Sequence, residues 1–351
     1  MRITSITPMK DEAPFLLEWV AYHRLIGMND IHVFSNDCSD GTDQMLERLD
    51  DLGLLRHFSN PSMIMEQNNH HQQMLRYVNT WPRLRRSDWV VNLDVDEYIC
   101  VNAGQGRIGD LFDAVADANM IVMAQHNFGC GGVETFEDKL LMEQFRWSWS
   151  LDAAYHRKLN RRGTKTLTHA SAEARQWRNH SPVFDADNTD RVRPVNGNGQ
   201  ALSGLDLTED VKSLLAPDYG FGLVQLNHYV LKSVDAFFLK VARGNANHPD
   251  KDYAMGYWRR YDHNHHHDDR IARWQDEVRA FRDELIADPE LGPLHHAAVA
   301  RAHEKIAAVK ATEAGTALEN HLRRYRSRNP VGGEAASDDV DEPADLALQT
   351  G

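Results

Sequence analysis

The segment from Trp89 to Tyr98 constrains the fold of this chain more than any other. It reads WVVNLDVDEY, so a valine-rich apolar run that is too short for a helix ends in three carboxylates. Such a run predicts a buried parallel strand, and open α/β sheets bind their ligands at the carboxyl ends of these strands. Asp94 and Asp96 can offer hard oxygen ligands to Mg²⁺ or Mn²⁺ there. The alternative is a solvated strand end with ordinary surface acids.

The N-terminal residues predict the opening of a nucleotide-binding α/β domain. A strand at residues 2–8 precedes a helix in which Pro14 suits the first turn and Gly27 suits the C-terminal cap. A second strand at residues 31–35 leads into the turn at residues 36–42 and then into another helix. Strand, helix, strand, turn and helix in this order are typical of nucleotide-binding α/β folds.

Several different short motifs lie along the chain: Lys10-Asp11-Glu12, Leu17-Glu18-Trp19, Tyr22-His23, Ser39-Asp40-Gly41-Thr42, Asp94-Val95-Asp96-Glu97-Tyr98 and, later, Asn227-His228-Tyr229 with Lys232-Ser233. Together they resemble the glycosyltransferase family 2-like proteins with a GT-A fold, in the branch related to glycosyltransferase family 92. The resemblance implies a GT-A-like three-layer α/β/α nucleotide-binding fold, followed here by a C-terminal helical extension.

The resemblance and the sequence pattern predict three segments. Residues 1–250 form a GT-A-like glycosyltransferase domain, with a nucleotide-binding half at 1–100 and an acceptor half at 101–250. Residues 251–328 form the helical extension, because they are rich in residues that favour helices. Residues 329–351 form an acidic tail that is expected to be disordered.

Two segments have weaker patterns. Residues 155–200 are polar and are interrupted by glycine, proline and asparagine, so loops and short strands are expected there. The segment from Asp262 to Asp269 contains four histidines without regular spacing. It is expected to be an exposed loop, with at most adventitious binding of Ni²⁺ or Zn²⁺.

The composition disfavours several classes of protein. The formal net charge of −13 disfavours a nucleic-acid binder with a broad basic surface. Cys38, Cys100 and Cys130 are too few and too scattered for a disulfide framework or a zinc cluster. No apolar run reaches the roughly 18 residues of a membrane span. A cytoplasmic protein with at most peripheral membrane contact is therefore expected.

The resemblance assigns roles at a cation site. Asp94 would lie nearer the ribose of a nucleotide, and Asp96 nearer a bound Mn²⁺ or Mg²⁺. Glu97 would face the opposite side if the strand continued. His228 would supply a distant third ligand, since an imidazole suits Mn²⁺. The alternative for His228 is a strand-end histidine that is hydrogen-bonded to the backbone.

Basic residues and the second strand predict the rest of the donor site. Lys232, Lys240 and Arg243 could form a positive wall over a diphosphate, and the last two share a helix face. Asn36 and Asp37 follow the second strand, where GT-A enzymes often contact the nucleotide base. The residues Ser35-Asn36 replace two acids that many relatives carry there, so base selectivity is left open.

The general base is the least constrained assignment. Relatives carry an acid before an arginine and an aromatic residue, and Glu143 falls at that place, although Gln144 departs from the pattern. Asp185 and His180 are the alternatives. A carboxylate or a histidine would take the proton of the acceptor hydroxyl.

The sequence therefore predicts a metal-dependent glycosyltransferase. It would move a sugar from a nucleoside diphosphate sugar, expected to be UDP-linked, to a glycan or lipid-linked hydroxyl, and the resemblance implies inversion. Two alternatives are a nucleotidyltransferase and a non-catalytic glycan-binding protein. The first would need a glycine-rich basic loop after the first strand, where residues 7–12 read TPMKDE. The second is disfavoured by the intact Asp94, Asp96 and His228.

Overall fold

Strands and helices alternate along the N-terminal half of the computed structural model, and helices dominate after residue 230. The structure describes residues 1–65, 69–151, 160–243 and 251–333. Within these residues the strands are β1 (Ile3–Met9), β2 (Asp30–Ser35), β3 (Arg56–Ser59), β4 (Trp89–Asn92), β5 (Glu97–Val101), β6 (Met120–Asn127), β7 (Trp147–Ser148), β8 (Arg161–His169), β9 (Pro194–Asn196), β10 (Ser213–Leu215), β11 (Val224–His228) and β12 (His266–His267). The helices are α1 (Ala13–Leu25), α2 (Thr42–Asp51), α3 (Ser62–Met65), α4 (His70–Val78), α5 (Ile108–Ala114), α6 (Leu141–Gln144), α7 (Val234–Arg243), α8 (Lys251–Tyr261), α9 (Gln275–Ile286), α10 (Leu291–Lys310) and α11 (Glu313–Arg328).

Most strands form one mixed sheet in the order β3-β2-β1-β4-β8-β6-β11-β5. β1 pairs in parallel with β2 and with β4, and β2 pairs in parallel with β3. β8 runs antiparallel to both β4 and β6, β11 runs parallel to β6, and β5 runs antiparallel to β11. Parallel neighbours need crossover connections, which α1, α2 and α4 provide. The carboxyl ends of β1, β2 and β4 consequently meet at one edge of the sheet.

The parallel strands β1, β2 and β4 are buried on both faces, whereas the edge strand β3 is partly exposed. Val33 and Val91 belong to a core that also includes residues of α1, α2, α9 and α10. Phe34 and Val90, on the opposite face, belong to a second core with residues of α4. The sheet therefore lies between two helical layers, which is the predicted three-layer α/β/α arrangement.

The helical extension packs against the α1 side of the sheet. α10 contacts α1, α2, α7, α9 and α11. Its buried residues Ala298, Ala302 and Ile306 recur at helical spacing and join the main core. Among the described residues, no helix is long and apolar enough to cross a lipid bilayer.

The end of the predicted acidic tail lies outside the described residues. Residues 329–333 are described, and the Gly332 N–H donates to the Asn264 carbonyl at 2.8 Å. The beginning of the predicted tail is therefore attached to the domain. For residues 334–351, which lie outside the described residues, the disorder expected over 329–351 stays a prediction.

The prediction of loops and short strands at residues 155–200 is wrong for β8. This strand is nine residues long and lies between β4 and β6. Its sequence, RRGTKTLTH, has no apolar run, because Arg162, Thr164, Lys165 and Thr166 are among its buried residues. A strand with charged residues at buried positions gives no apolar signal of the kind on which strand prediction relies.

The prediction of an exposed loop from Asp262 to Asp269 is also wrong. Asp262, Asn264 and Asp268 are buried. The Cys130 N–H donates to Asp262 Oδ1 at 2.9 Å, and the Gly131 N–H donates to Asn264 Oδ1 at 2.8 Å. These polar side chains are buried because they satisfy the backbone of a glycine-rich turn.

Candidate active site

Asp94 and Asp96 lie in the turn between β4 and β5. β4 ends at Asn92, before both aspartates, so strand geometry does not set their directions. The Asp94 N–H donates to Glu97 Oε2 at 3.0 Å, and the Glu97 N–H donates to the Asp94 carbonyl at 3.0 Å. Closed in this way, the turn directs the two aspartates toward different partners.

Asp94 faces Lys165 of β8. The Lys165 Nζ lies 3.0 Å from Asp94 Oδ2 and 3.7 Å from Glu97 Oε2. It also donates to Asn179, at 2.9 Å to Oδ1 and at 3.2 Å to the carbonyl. Glu97 therefore shares the cation of Asp94, and the expectation that it faces the opposite side is wrong.

The pKa values of Glu97, Asp94 and Lys165 are shifted by burial and by one another's charges. Burial raises the pKa of Glu97, whose Oε1 also accepts from Gln125 Nε2 at 2.8 Å. Burial opposes ionisation of Asp94 as well, but the charge of Lys165 outweighs it and the pKa of Asp94 is lowered. Burial likewise opposes the charge of Lys165, whose pKa is nevertheless raised by Asp94 and Glu97. Asp94 is thus the ionised partner of a buried lysine.

Asp96 faces His228, the last residue of β11. The His228 Nε2 lies 3.6 Å from Asp96 Oδ1, and the Lys240 Nζ lies 3.7 Å from Asp96 Oδ2. The His228 Nδ1 donates to Asn127 Oδ1 at 2.7 Å. Burial alone would raise the pKa of Asp96, but His228 and Lys240 hold it well below its usual range. The aspartate is therefore ionised at neutral pH.

The pair of Asp96 and His228 fits a divalent cation. In the tautomer that donates its Nδ1 proton to Asn127 and carries no proton on Nε2, His228 presents an Nε2 lone pair next to Asp96. Ligands that each lie about 2.1 Å from an ion are separated by about 3 to 4 Å. The 3.6 Å separation lies in that range, so the donor chemistry and the spacing agree with a shared ion.

A second group of charges lies beside the first. Glu12 contacts the guanidinium of Arg243, and its Oε2 lies 3.7 Å from the Lys232 Nζ. Arg243 also donates to the Lys10 carbonyl at 2.9 Å. Burial lowers the pKa of Lys232, although Glu12 and Asp96 oppose that shift. The predicted basic wall of Lys232, Lys240 and Arg243 is thus brought together around Asp96 and Glu12.

The backbone is strained at the loops that border these charges. Asp11, Asp37 and Lys232 have φ values of 51°, 47° and 59°, which residues with a side chain rarely adopt. Asn36 is buried and donates to Asp37 Oδ2 at 3.3 Å. His70 Nε2 lies 3.7 Å from the same carboxylate. Strain of this kind concentrates at functional sites.

The motifs of α1 have structural roles beneath the site. Glu18 accepts the N–H groups of Leu141 and Met142 at 2.6 and 3.2 Å, at the start of α6. The Trp19 Nε1 donates to the Glu97 carbonyl at 3.2 Å, and the Tyr22 hydroxyl donates to the Ile99 carbonyl at 2.8 Å. The Glu18 contacts attach α1 to α6. The contacts of Trp19 and Tyr22 attach α1 to β5, directly after the Asp94–Asp96 turn.

The three candidate bases lie in different surroundings. Glu143 Oε2 accepts from Arg279 of α9 at 2.9 Å, and Asp185 Oδ1 lies 3.4 Å from the exposed Arg175. His180 follows Asn179, the partner of Lys165, and its Nδ1 donates to the Thr164 carbonyl at 2.9 Å. Burial and the charge of Lys165 lower its pKa. Of the three candidate bases, His180 is therefore the one that lies beside the pair of Asp94 and Lys165.

Another group of potential metal ligands includes a carboxylate that is already paired with an arginine. Within the described part of the chain, ligand atoms of His126, His266 and Asp268 lie within 4.8 Å of one another. However, Asp268 also accepts from Arg270, with a closest distance of 2.5 Å, and from Gln225 at 3.0 Å. A guanidinium on the same carboxylate opposes a second cation.

Sequence reasoning missed Lys165 and His71. Asn92 Nδ2 donates to His71 Nε2 at 2.9 Å, and burial lowers the pKa of His71 to about 4. Both residues act electrostatically on Asp94. For Lys165, the flanking threonines, which favour strands, were the available signal. No comparable local signal marked His71.

The structure places the Asp94–Asp96 turn at the carboxyl edge of the parallel strands, facing His228 and Lys240. The model of the family described as glycosyltransferase family 92 matches residues 3–199, more than half of the 351 residues. The chain belongs to glycosyltransferase family 92. The predictions of a GT-A-like fold and of a glycosyltransferase are thereby confirmed, and the match speaks against the nucleotidyltransferase alternative.

The chain is also similar to solved structures at low identity. One is mannosyl-3-phosphoglycerate synthase from Rubrobacter xylanophilus, with 15% identity and a TM-score of 0.24; the match covers 36% of this chain and 41% of that one, less than half its length. Another is S. aureus TarS 1–349, with 11% identity and a TM-score of 0.32, covering 93% of this chain and 92% of that one. TarS 1–349 in complex with UDP matches over the same shares with 10% identity and a TM-score of 0.32. No curated protein sequence matches the chain.

Proposed function

We propose that the protein moves a sugar from a nucleoside diphosphate sugar, expected to be UDP-linked, to a hydroxyl of a glycan or lipid-linked acceptor, with inversion at the sugar C1. One observation carries this proposal: the Asp96 carboxylate faces the Nε2 of His228 at 3.6 Å, at the edge where β1, β2 and β4 end. An acid and a neutral imidazole are a donor set for a divalent cation.

Asp96 and His228 would hold Mn²⁺ or Mg²⁺, which supplies Lewis-acid stabilisation of the leaving diphosphate. Asp94 is held by Lys165 and keeps its outer oxygen for a ribose hydroxyl. The Asp94 side chain is 37% exposed, whereas Lys165 is only 1% exposed. Asp94 is therefore the member of this pair that a nucleotide can reach.

Lys240 and Arg243 supply fixed positive charge next to Asp96. Both residues lie in the last turn of α7. The Lys240 Nζ donates to the Val230 carbonyl at 3.1 Å and lies 4.9 Å from the centre of the Tyr257 ring, so its position is set before a ligand arrives. Preorganised cations stabilise negative charge more effectively than water, which must reorient.

His180 is proposed as the general base. Its Nδ1–H donates to the Thr164 carbonyl, which leaves the Nε2 lone pair to take a proton. Its lowered pKa keeps the imidazole neutral at physiological pH. As the acceptor oxygen bonds to C1, the bond from C1 to the phosphate oxygen breaks and its electron pair leaves with the diphosphate. The hydroxyl proton moves to His180 Nε2, and the configuration at C1 inverts.

The test is calorimetric titration of UDP with and without Mn²⁺. The protein is expected to bind UDP more tightly in the presence of Mn²⁺, and Asp96→Ala is expected to lose that gain while the fold is kept. Asp190→Ala is the matched control, because Asp190 is exposed and makes no side-chain contact within the described residues. UDP binding that does not depend on Mn²⁺, or that survives Asp96→Ala unchanged, would contradict the proposal. Repeating the titration with other nucleoside diphosphates tests the base.

A further inference from the structure

α10 reaches the two loops that border the proposed donor site. Arg301 donates from Nε and NH2 to the Asp40 carbonyl, at 3.0 and 2.5 Å, in the β2–α2 loop. The Lys305 Nζ lies 3.8 Å from Asp11 Oδ2, in the β1–α1 loop. Arg301 and Lys305 are four residues apart and so share one face of the helix. This helix lies outside the residues 3–199 that the family model matches.

The same two aspartates hold the loops to each other. Asp11 Oδ1 accepts the Ser39 N–H at 2.6 Å, and Asp40 Oδ2 accepts the Ala13 N–H at 2.9 Å. Each loop therefore contacts the other loop and also α10. A shift of α10 would be transmitted to both loops through Asp11 and Asp40.

The loops need external support because their backbone is strained. Asp11, which carries a side chain, has a φ of 51°. A left-handed conformation at an aspartate persists only where neighbouring contacts hold it. Asp37, with a φ of 47°, lies in the same β2–α2 loop and is one of the residues expected to contact the nucleotide base.

Packing does not provide that support, because a cavity separates α10 from the loops. Its volume is about 370 Å³, and its lining includes Phe15, Ser39, Arg243, Ala302 and Lys305. Arg301 and Lys305 extend along the edge of this cavity to reach the loops. Because Arg243 also lines it, the cavity borders the basic residues proposed to face the diphosphate.

We infer that α10 is a positioning helix for the donor site, with Arg301 and Lys305 as the positioning residues. They act through Asp40 and Asp11 and fix the β2–α2 and β1–α1 loops in the conformation that accepts the nucleotide. This inference rests on the proposed function for its ligand. Its direct consequence, the order of the loops, can be measured without any ligand.

The experiment compares wild type, Arg301→Ala and Arg301→Lys. Amide hydrogen exchange is measured without nucleotide, and UDP binding is then titrated in the presence of Mn²⁺. Arg301→Ala is expected to speed exchange at residues 36–42 without changing exchange in α1, and to weaken UDP binding about fivefold to tenfold. Arg301→Lys keeps one N–H for the Asp40 carbonyl and should fall between wild type and Arg301→Ala. Arg323→Ala on α11 is the matched control, since Arg323 is exposed and has no side-chain contact within the described residues.

Unchanged exchange at residues 36–42 in Arg301→Ala would overturn the inference. Faster exchange in α1 as well would do the same, because it would show a general loss of stability. If wild type fails to bind UDP with Mn²⁺, the proposed function fails, while the exchange measurement still decides whether α10 orders the loops.

Discussion

The Lys165 Nζ lies 3.0 Å from Asp94 Oδ2, and this contact gives Asp94 a different electrostatic environment from that of Asp96. Asp94 already has a permanent cation from the protein. Asp96 lies 3.6 Å from the His228 Nε2, and its lysine contact, 3.7 Å from Oδ2 to the Lys240 Nζ, is longer than the contact of Asp94 with Lys165. The first aspartate is therefore suited to contact a neutral group such as a ribose hydroxyl, and the second is suited to hold an ion.

Removing the buried lysine should be costly. In Lys165→Met the carboxylates of Asp94 and Glu97 lose their shared cation, and breaking a buried ion pair costs about 3 to 5 kcal/mol. Denaturant unfolding should show a loss of that order, with weaker UDP binding. Lys139→Met is the control, because Lys139 is exposed in a surface pair with Glu137 and such pairs contribute about 0 to 1 kcal/mol. Equal losses in the two variants would contradict a special role for Lys165.

His180→Ala should lower the turnover rate by about 10²- to 10⁴-fold, the usual contribution of a general base. UDP affinity should change little, because His180 is assigned to the acceptor and not to the nucleotide. Because the pKa of His180 is lowered, the wild-type rate should stay on its plateau through neutral pH. It should fall only at acidic pH, where the imidazole becomes protonated. Transfer to acceptors from a glycan array, followed by mass spectrometry, provides the measurement.

Glu143→Gln and Asp185→Asn are the comparison variants for the base. Each carboxylate is paired with an arginine away from Lys165, so each variant should retain most of the turnover rate. A loss in Glu143→Gln as large as the one expected for His180→Ala would return the role of base to Glu143.

The sequence predicted the parallel half of the fold better than the rest. β1, β2 and β4 are short apolar runs at a sheet centre, and turn signals bound the intervening helices, so local patterns suffice. β8 was missed because its buried side chains are charged or polar. Their burial depends on partners such as Asp94 and Asn179, which are distant in sequence. Long-range pairing of this kind leaves no local periodicity.

For the candidate site, too, residues with a local sequence signal were predicted and residues without one were not. Asp94, Asp96 and His228 were predicted as site residues because of the family resemblance and because each ends or follows a strand, where ligands are expected. Lys165 and the α10 contacts were not found, because nothing near them in sequence indicates what they face. Glu143 was chosen by its place in a motif, whereas the structure pairs it with Arg279 on the helical extension.

Glu18 should make stability depend on pH. Burial raises the pKa of Glu18 from 4.5 to about 7, so the folded state holds this proton more tightly than the unfolded state. Its contribution is fully present below pH 4.5 and is lost as the pH rises to 7, by about 3 kcal/mol in total. Glu18→Gln cannot titrate, so its stability relative to wild type should rise across that window. Urea unfolding at a series of pH values tests this, with the exposed Glu284→Gln as a control that should track wild type.

Truncation after Gly333 should leave the domain intact. The Gly332 N–H donates to the Asn264 carbonyl, so this ending keeps the last described contact. The removed residues 334–351 are rich in acids and have no base within them. The melting temperature and the affinity for UDP with Mn²⁺ should both match the full chain. A loss of several degrees would show that the tail binds the domain.

The sharpest test of the cation site is whether Asp96 and His228 act on the same ion. Each of Asp96→Ala and His228→Ala should remove most of the Mn²⁺-dependent gain in UDP affinity, about tenfold or more. The double variant should lose little beyond either single change, because an ion that has left cannot be lost again.

Additive losses in this cycle would instead show two independent contributions, and His228 would then be a strand-end histidine that only pairs with Asp96. Calorimetry of UDP with Mn²⁺ supplies the four affinities. Asn127→Asp is informative beside the cycle, because a carboxylate on His228 Nδ1 in place of the amide oxygen keeps the hydrogen bond and raises the basicity of Nε2. It should therefore strengthen Mn²⁺ dependence, whereas a merely structural histidine would leave that dependence unchanged.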